Sequence, residues 1–295
     1  MSEFRVVVIV SPDHSDLYFA NQLIKRLNVT GVIVETQQQN SDNSSTITKA
    51  LKLIHKPHIL FLKIYSLIRE RIRKKYAVYN KPENSANFGE QGLKIIPTKN
   101  CDVLYTSDVN NINAAENIDW LKKIRPNIIA VCGASIFKEE ILKIPTHGVL
   151  NLHGGLSHEY RGLFTTDWAI YNEEPEHVGA TIHFISPGID DGDVVYQGRP
   201  NVTQDDNPNS LYVKVVKLGV NMMEAAIKEI ESGTTHSEPL VEKGKLYLGK
   251  MFTPKFRDAT WKKISQGVIS NYLAHKPSRD KIVLSRMINK YKDSN

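Results

Sequence analysis

The densest polar stretch of the 295-residue chain is Asn151-Leu-His153-Gly-Gly-Leu-Ser-His158-Glu-Tyr-Arg161-Gly162, and it overlaps the end of an apolar run at 149–152. Side chains alternate across a strand, so Asn151 and His153 project to the same side of one. Gly154 and Gly155 then permit a sharp turn or a close backbone approach to a ligand. A carboxamide and an imidazole aimed together from a strand end are suited to hydrogen-bonding an oxygen on which negative charge develops. A second stretch, Ala180-Thr-Ile-His183-Phe-Ile-Ser-Pro-Gly-Ile-Asp190-Asp191-Gly192-Asp193, runs from a strand into an acidic turn. Asp and Gly build turns for their own reasons, and these carboxylates do not have the spacing of an EF-hand loop.

Other side chains carry competing readings. Cys132 could attack as a thiolate, although a cysteine in an apolar strand more often packs. His147, His153 and His158 with Asp190 match no zinc spacing, so no metal is expected. Trp168, Tyr160 and Phe164 are close in sequence and can stack on a planar ligand or pack as core.

A scaffold must position these groups, and the hydrophobic pattern predicts one. Residues 5–11 (RVVVIVS) form a β-branched apolar run that fits a strand buried on both faces. A helix over 15–27 and a strand over 31–34 follow. Further on come strands at 102–106, 127–132 and 149–152, with helices at 114–124 and 137–144 between them. This alternation predicts an α/β fold, a Rossmann-like, mostly parallel sheet with flanking helices, where ligands bind beyond the carboxyl ends of strands. Residues 180–185 and 194–197 read as paired strands. A helix is expected over 211–232, with Asn209 or Ser210 as N-cap and Gly233 just past its end. A short strand-like piece at 245–251 and a basic helical tail from 262 complete the chain. Between the first two strands and the rest, residues 46–82 carry ten Lys and Arg side chains against the single acid Glu70, which reads as a basic amphipathic helical insertion.

Together the two polar clusters become specific. Asn151-x-His153 with Gly162 downstream, followed 37 positions after His153 by Asp190-x-Gly192, resembles the Asn–His–Asp arrangement of the folate-dependent formyltransferases. These include glycinamide ribonucleotide transformylase, methionyl-tRNA formyltransferase and the sugar N-formyltransferases. The resemblance is best over 90–200 and extends to the first 35 residues only as a strand–helix pattern. It implies a catalytic trio of Asn151, His153 and Asp190, with His183 in support. It implies 10-formyltetrahydrofolate as co-substrate, an amine as acceptor and no metal. The pterin would rest on Cys132, Gly133, Ala134, Ser135 and Ile136, and on Ile185, Gly188 and Ile189. Arg161, Tyr160 and Trp168 would face the acceptor. In that chemistry Asn151 and His153 donate to the oxyanion formed when the amine attacks the formyl carbon, while Asp190 orients His153 and helps receive the amine proton. Two departures stand out. Gly155-Leu-Ser-His158 replaces the family's frequent Ser-Leu-Leu-Pro, and Ser11-Pro-Asp-His-Ser-Asp16 lacks the glycines of a phosphate loop, which argues against a purine-pathway substrate.

With 41% hydrophobic and 24% charged residues the chain is neither collagen-like nor wholly disordered. Its 38 Lys and Arg against 32 Asp and Glu give +6, which favours an anionic partner. A nucleotide-linked amino sugar is the favoured acceptor, since the methionyl-tRNA enzymes carry a C-terminal β-barrel for which the 245–251 piece and helical tail leave little room. Nucleic acid is therefore not favoured. Another amine (methionyl-tRNA, or a hydroxyornithine-like or peptide amine) is the alternative, and a non-catalytic folate or nucleotide-sugar binding protein is the reading from a different class. The expected organisation is a catalytic domain over 1–205 with its insertion at 46–82, then a C-terminal helix, short strand and basic tail over 206–295. The opening MSEFRVVVIV does not resemble a signal peptide and no apolar run is long enough to span a bilayer. Two cysteines provide no disulfide framework. A cytoplasmic protein is expected, and a homodimer is compatible with the sequence.

Overall fold

The apolar run near the N-terminus forms strand β1 (Val6–Val10), buried at every residue. Val6, Val8 and Val10 join one core cluster while Val7 and Ile9 join another, and this burial on two faces explains the absence of polar alternation. The computed structural model describes residues 3–36, 85–107, 111–186 and 192–292, all belonging to one compact unit. The basic stretch 46–82 and the turn residues 187–191 lie outside the described residues.

Strands β2 (Val29–Val34), β3 (Asp102–Tyr105), β4 (Ile128–Cys132), β5 (Val149–His153), β7 (Ala180–Phe184) and β8 (Val194–Gly198) complete a sheet ordered β3-β2-β1-β4-β5-β7-β8. From β3 to β5 neighbouring strands run parallel; β7 pairs antiparallel with β5, and β8 with β7. Strand β6 (Tyr160–Gly162) pairs separately with β9 (Lys245–Tyr247). The helices are α1 (His14–Arg26), α2 (Ala115–Ile124), α3 (Glu139–Leu142), α4 (Thr165–Tyr171), α5 (Pro208–Ser232), α6 (Pro254–Ser265), α7 (Val268–Ala274) and α8 (Lys276–Arg286), with a single turn at Ser85–Phe88 besides. Leu17, Phe19 and Leu23 of α1 pack with Leu211, Val215 and Met222 of α5 on the Val8 face, and Ile118 and Leu121 of α2 cover the Ile9 face. This is the α/β architecture that the alternating pattern predicts. Among the described residues no helix is long and apolar enough to cross a membrane.

Two local expectations shift. Only Glu139–Leu142 of the expected 137–144 helix is helical: the backbone is still extended at Lys138, ψ 159°, and Pro145 stops the chain beyond. The N-cap of α5 is Asn207, whose Oδ1 accepts from the N–H groups of Asn209 and Ser210 while the Ser210 hydroxyl accepts from Asn207 N. Pro208 at the first helical position fixes that earlier start. Gly233 closes the helix at φ 72° as expected.

Beyond α5 the chain returns to the same core. Val268, Ile269 and the fully buried Tyr272 belong to the Val8-face cluster. The Tyr272 hydroxyl donates to Asp280 at 2.7 Å and accepts from Arg199 at 3.1 Å, and Arg199 also bonds Asp280 at 2.8 Å. Buried in the loop after β5, His158 is held by its surroundings in the neutral form: burial first, then the Arg286 guanidinium and His177, push its pKa down to about 4.

These contacts set two stability expectations. Asn207→Ala should lower the unfolding free energy by about 1 kcal/mol in urea titration, whereas Leu121→Ala, opening the buried core, should remove about 2–5 kcal/mol; equal losses would contradict this picture. For His158, the unfolded ring takes up a proton near pH 6.5 and the folded ring only near pH 4. Stability should therefore fall as pH drops through that window. His158→Gln should flatten this part of the profile, and an unchanged slope would count against the assignment.

Candidate active site

Strand β5 is the last parallel strand, with β4 on one side and antiparallel β7 on the other, and the chemistry-bearing side chains converge there. Leu150 and Leu152 face the Val8 cluster and Val149 the opposite one, so alternation turns Asn151 and His153 to the Val149 side. The register sets Asn151 opposite His183 and His153 opposite Thr181. Asn151 Nδ2 lies 3.1 Å from His183 Nε2, and His183 Nδ1 lies 2.9 Å from the Phe184 carbonyl. A carbonyl only accepts, so Nδ1 carries the His183 proton and Nε2 accepts from the Asn151 amide. That hydrogen bond turns the Asn151 nitrogen toward His183 and leaves its second N–H for another acceptor.

His153 is only 5% exposed. Its Nε2 donates to the Tyr160 carbonyl at 2.8 Å, so in the neutral ring Nδ1 is the basic nitrogen. The two histidines thus hold opposite tautomers. The turn after His153 is fixed by hydroxyls: Thr165 donates to the Gly154 carbonyl, and Thr181 donates to the Gly155 carbonyl at 2.6 Å while accepting the Ser157 N–H at 3.1 Å. Residue 155 must be glycine, since a Cβ there would lie 2.7 Å from His153 Nε2 and 2.9 Å from the Tyr160 oxygen it binds. This accounts for Gly155 without a ligand, whereas a Cβ at Gly154 would meet only ordinary contacts with Tyr212 and Val215.

A second feature borders the first. Strand order reverses between β1 and β4, the place where doubly wound sheets take ligands. There Asp16, in the first turn of α1, accepts from the Ser11 hydroxyl at 2.7 Å, from Ser15 at 3.0 Å and from the Cys132 thiol at 3.4 Å. Burial pushes its pKa up to about 6 against the opposing pull of the Ser11 and Ser15 hydrogen bonds. The chain turns immediately above it at Gly133, φ 70°, where a Cβ would sit 1.9 Å from Asp16 Oδ2. A carboxylate in this helix N-terminal position occupies the place an anion would use, in line with the missing phosphate loop. Past Gly133, Ala134 packs against the cluster of Val131, Phe137 and Val149, and Ile185 from the end of β7 packs against the same cluster. Ala134 of the first segment expected to hold the pterin and Ile185 of the second are therefore brought to one face of the sheet. Ile136 projects from the loop with 78% of its surface exposed.

Asp190, Gly188 and Ile189 lie outside the described residues. The residues flanking their segment are anchored: Ile185 N–H donates to the Val149 carbonyl at 2.8 Å and Phe184 N–H to the Asp193 carbonyl at 2.9 Å. The three expected acceptor residues sit in a layer around β6 and β9. Tyr160 stacks on Tyr247 at 5.5 Å, donates its hydroxyl to Glu174 and accepts from Asn172. Burial raises its phenol far above the ordinary range. Trp168 stacks on Tyr247 at 4.4 Å and packs on Phe256 at 3.7 Å. Arg161 Nε donates to the Gly244 carbonyl at 3.0 Å. The stacking foreseen for Tyr160 and Trp168 is thus realised within the chain. Sequence reasoning missed Asp16, Thr165 and Thr181: the burial of Asp16 beneath Gly133 and the carbonyl partners of the two threonines arise only on folding, and their local context marks them as ordinary helix or strand residues. Among the described residues there is no group of His, Cys, Asp and Glu that could hold a metal.

A family model for formyl transferase matches residues 5–227. Of curated relatives, the methionyl-tRNA formyltransferase of Kosmotoga olearia is 29% identical over 181 residues, which are 58% of this chain and 57% of that protein. The bifunctional polymyxin resistance protein ArnA of Wigglesworthia glossinidia brevipalpis is 37% identical over 114 residues, 38% of this chain and 17% of that protein. The chain spans about half the length of the curated methionyl-tRNA formyltransferases it matches. Of solved structures, a sugar N-formyltransferase from Shewanella sp FDAARGOS_354 gives a TM-score of 0.51 at 15% identity, covering 88% of this chain and 87% of that one. A phosphoribosylglycinamide formyltransferase from Anaplasma phagocytophilum gives 0.50 at 15% identity, covering 84% of this chain and all of that one. These structures share the fold. Because the family match runs from β1 into α5, through the strands that carry Asn151, His153 and His183, the chain belongs to the formyl transferase family.

Proposed function

We propose that the chain transfers a formyl group from 10-formyltetrahydrofolate to the amine of a nucleotide-linked amino sugar. The observation that carries this reading is the convergence of Asn151, His153 and His183 on adjoining strands, beside a face bordered by Ala134 and Ile185. That face fits the group: Ala134 and Ile185 give it an apolar floor and Ile136 an exposed apolar edge. Bound there, 10-formyltetrahydrofolate supplies the formyl carbon. Asn151, oriented by His183, donates its second N–H to the oxygen that becomes negative as the amine attacks. His153, with Nε2 committed to Tyr160, exchanges a proton through Nδ1, and Asp190 takes the orienting role that the family resemblance implies. The two cysteines, both buried and unbridged, are compatible with a reducing, cytoplasmic setting.

The described residues after 205 form strand β9, helices α5 to α8 and a short 3-10 turn, and the acceptor reading draws on charge. The charge of +6 suits a diphosphate-linked substrate. Methionyl-tRNA is the second reading, favoured by the relatives that share part of their length with this chain.

A panel of nucleotide-linked amino sugars, free amino sugars and methionyl-tRNA, each mixed with protein and 10-formyltetrahydrofolate, separates the two by tetrahydrofolate release. Release is expected with a nucleotide-linked amino sugar and should weaken with added salt; formylation of tRNA alone would favour the second reading. Asn151→Ala, His153→Ala and Asp190→Ala should each lower turnover on the order of 10²–10³-fold, with less than additive effects in combination and native circular dichroism. A folded His153→Ala protein with nearly full turnover would refute the mechanism.

A further inference from the structure

The loop at 133–138, whose residues up to Ile136 the proposed function assigns to the pterin, has its backbone held by side chains from separate parts of the chain. Asn113, just before α2, donates from Nδ2 to the Ile136 carbonyl at 2.9 Å and accepts the Lys138 N–H at Oδ1 at 2.7 Å. Glu35, just past β2, accepts the Ser135 N–H at Oε2 at 2.5 Å. Asp16 closes the near end beneath Gly133. One amide therefore clips both sides of residue 137, and one carboxylate fixes the peptide two residues earlier. Between these anchors the Ile136 side chain stands out into solvent. A loop pinned in this way presents its contact groups in one arrangement before a ligand arrives, so less ordering is left to oppose binding.

Glu35 adds an independent observation. The residue is 3% exposed, and its Oε1 is buried with no hydrogen-bond partner among the described residues. A carboxylate oxygen left unpaired in the interior works against stability. A side chain present only to fill this space would be apolar, so the carboxylate is accounted for by what its other oxygen does to the loop.

We propose that Asn113 and Glu35 are positioning residues for the folate co-substrate, holding residues 133–138 in the pterin-binding arrangement without touching the reacting atoms. This rests on the reading of that loop as the folate site. Each residue acts through backbone groups, so its loss should loosen folate binding and leave the oxyanion donors on β5 undisturbed.

The test uses the 295-residue chain with Asn113→Ala, Glu35→Ala and Glu35→Gln, read by calorimetric titration with tetrahydrofolate and by steady-state kinetics. Circular dichroism and thermal melting verify the fold of each; Asn113 lies half-buried in a loop, so alanine there leaves the core intact. Both alanine variants should raise the Kd for tetrahydrofolate and the KM for 10-formyltetrahydrofolate by about tenfold, while kcat at saturating folate and the acceptor KM stay within about twofold. Glu35→Gln keeps an oxygen to accept the Ser135 N–H and should return the affinity to within about threefold of the parent. Folate affinity unmoved in Asn113→Ala, or a fall in kcat at an unmoved folate KM, would overturn the proposal. If the parent protein itself fails to bind tetrahydrofolate, the assignment of the loop falls and the proposal with it, a result visible before any variant is compared.

Discussion

The antiparallel pairing of β5 with β7 is the constraint from which the rest of the site follows. It sets His183 across from Asn151 and Thr181 across from His153. The first pair orients an amide and the second fixes the turn that carries a histidine. Had β7 run parallel, as the strands on the other side of β1 do, this exchange of side chains between opposed residues would be lost. The change of direction at β5 also brings the end of β7 back beside Val149, where Ile185 meets the cluster that Ala134 touches. One pairing thus assembles the polar donors and the apolar face together.

The two histidines divide their labour by tautomer. Each gives one ring nitrogen to a backbone carbonyl, His183 through Nδ1 and His153 through Nε2. Backbone carbonyls are fixed in place by the fold, so neither ring can turn without abandoning a hydrogen bond. Nε2 of His183 faces Asn151, and in the proposed reaction Nδ1 of His153 is the nitrogen that exchanges a proton. Dipoles fixed in this way would need little reorganisation as charge develops on the formyl oxygen.

Much of this was legible in the sequence for a simple reason. Continuous β-branched runs such as 6–10 and 128–132 are readable because burial on two faces leaves no polar position to confuse them. Asn151 and His153 announce themselves because polar residues at strand period interrupt an apolar strand beside a Gly pair. The loop at 133–138 was less legible. The expected helix begins two residues early, at Phe137, because no local signal reveals that Asn113, far away in the chain, holds the Ile136 carbonyl and the Lys138 N–H. Asp16 and Glu35 read as ordinary surface carboxylates, since nothing local reveals that folding buries them. Tyr160 and Trp168 have the aromatic character that stacking on a ligand or on the chain would equally require, and only the position of Tyr247 decides the stacking seen here.

The central claim is that the fold forces His153 and His183 into opposite tautomers. Nitrogen-15 NMR of the histidine-labelled chain, at a pH where both rings are neutral, reads this directly. The account predicts a His153 ring protonated on Nε2 and a His183 ring protonated on Nδ1. A His183 ring protonated on Nε2, or a His153 ring carrying its proton only on Nδ1, would contradict it.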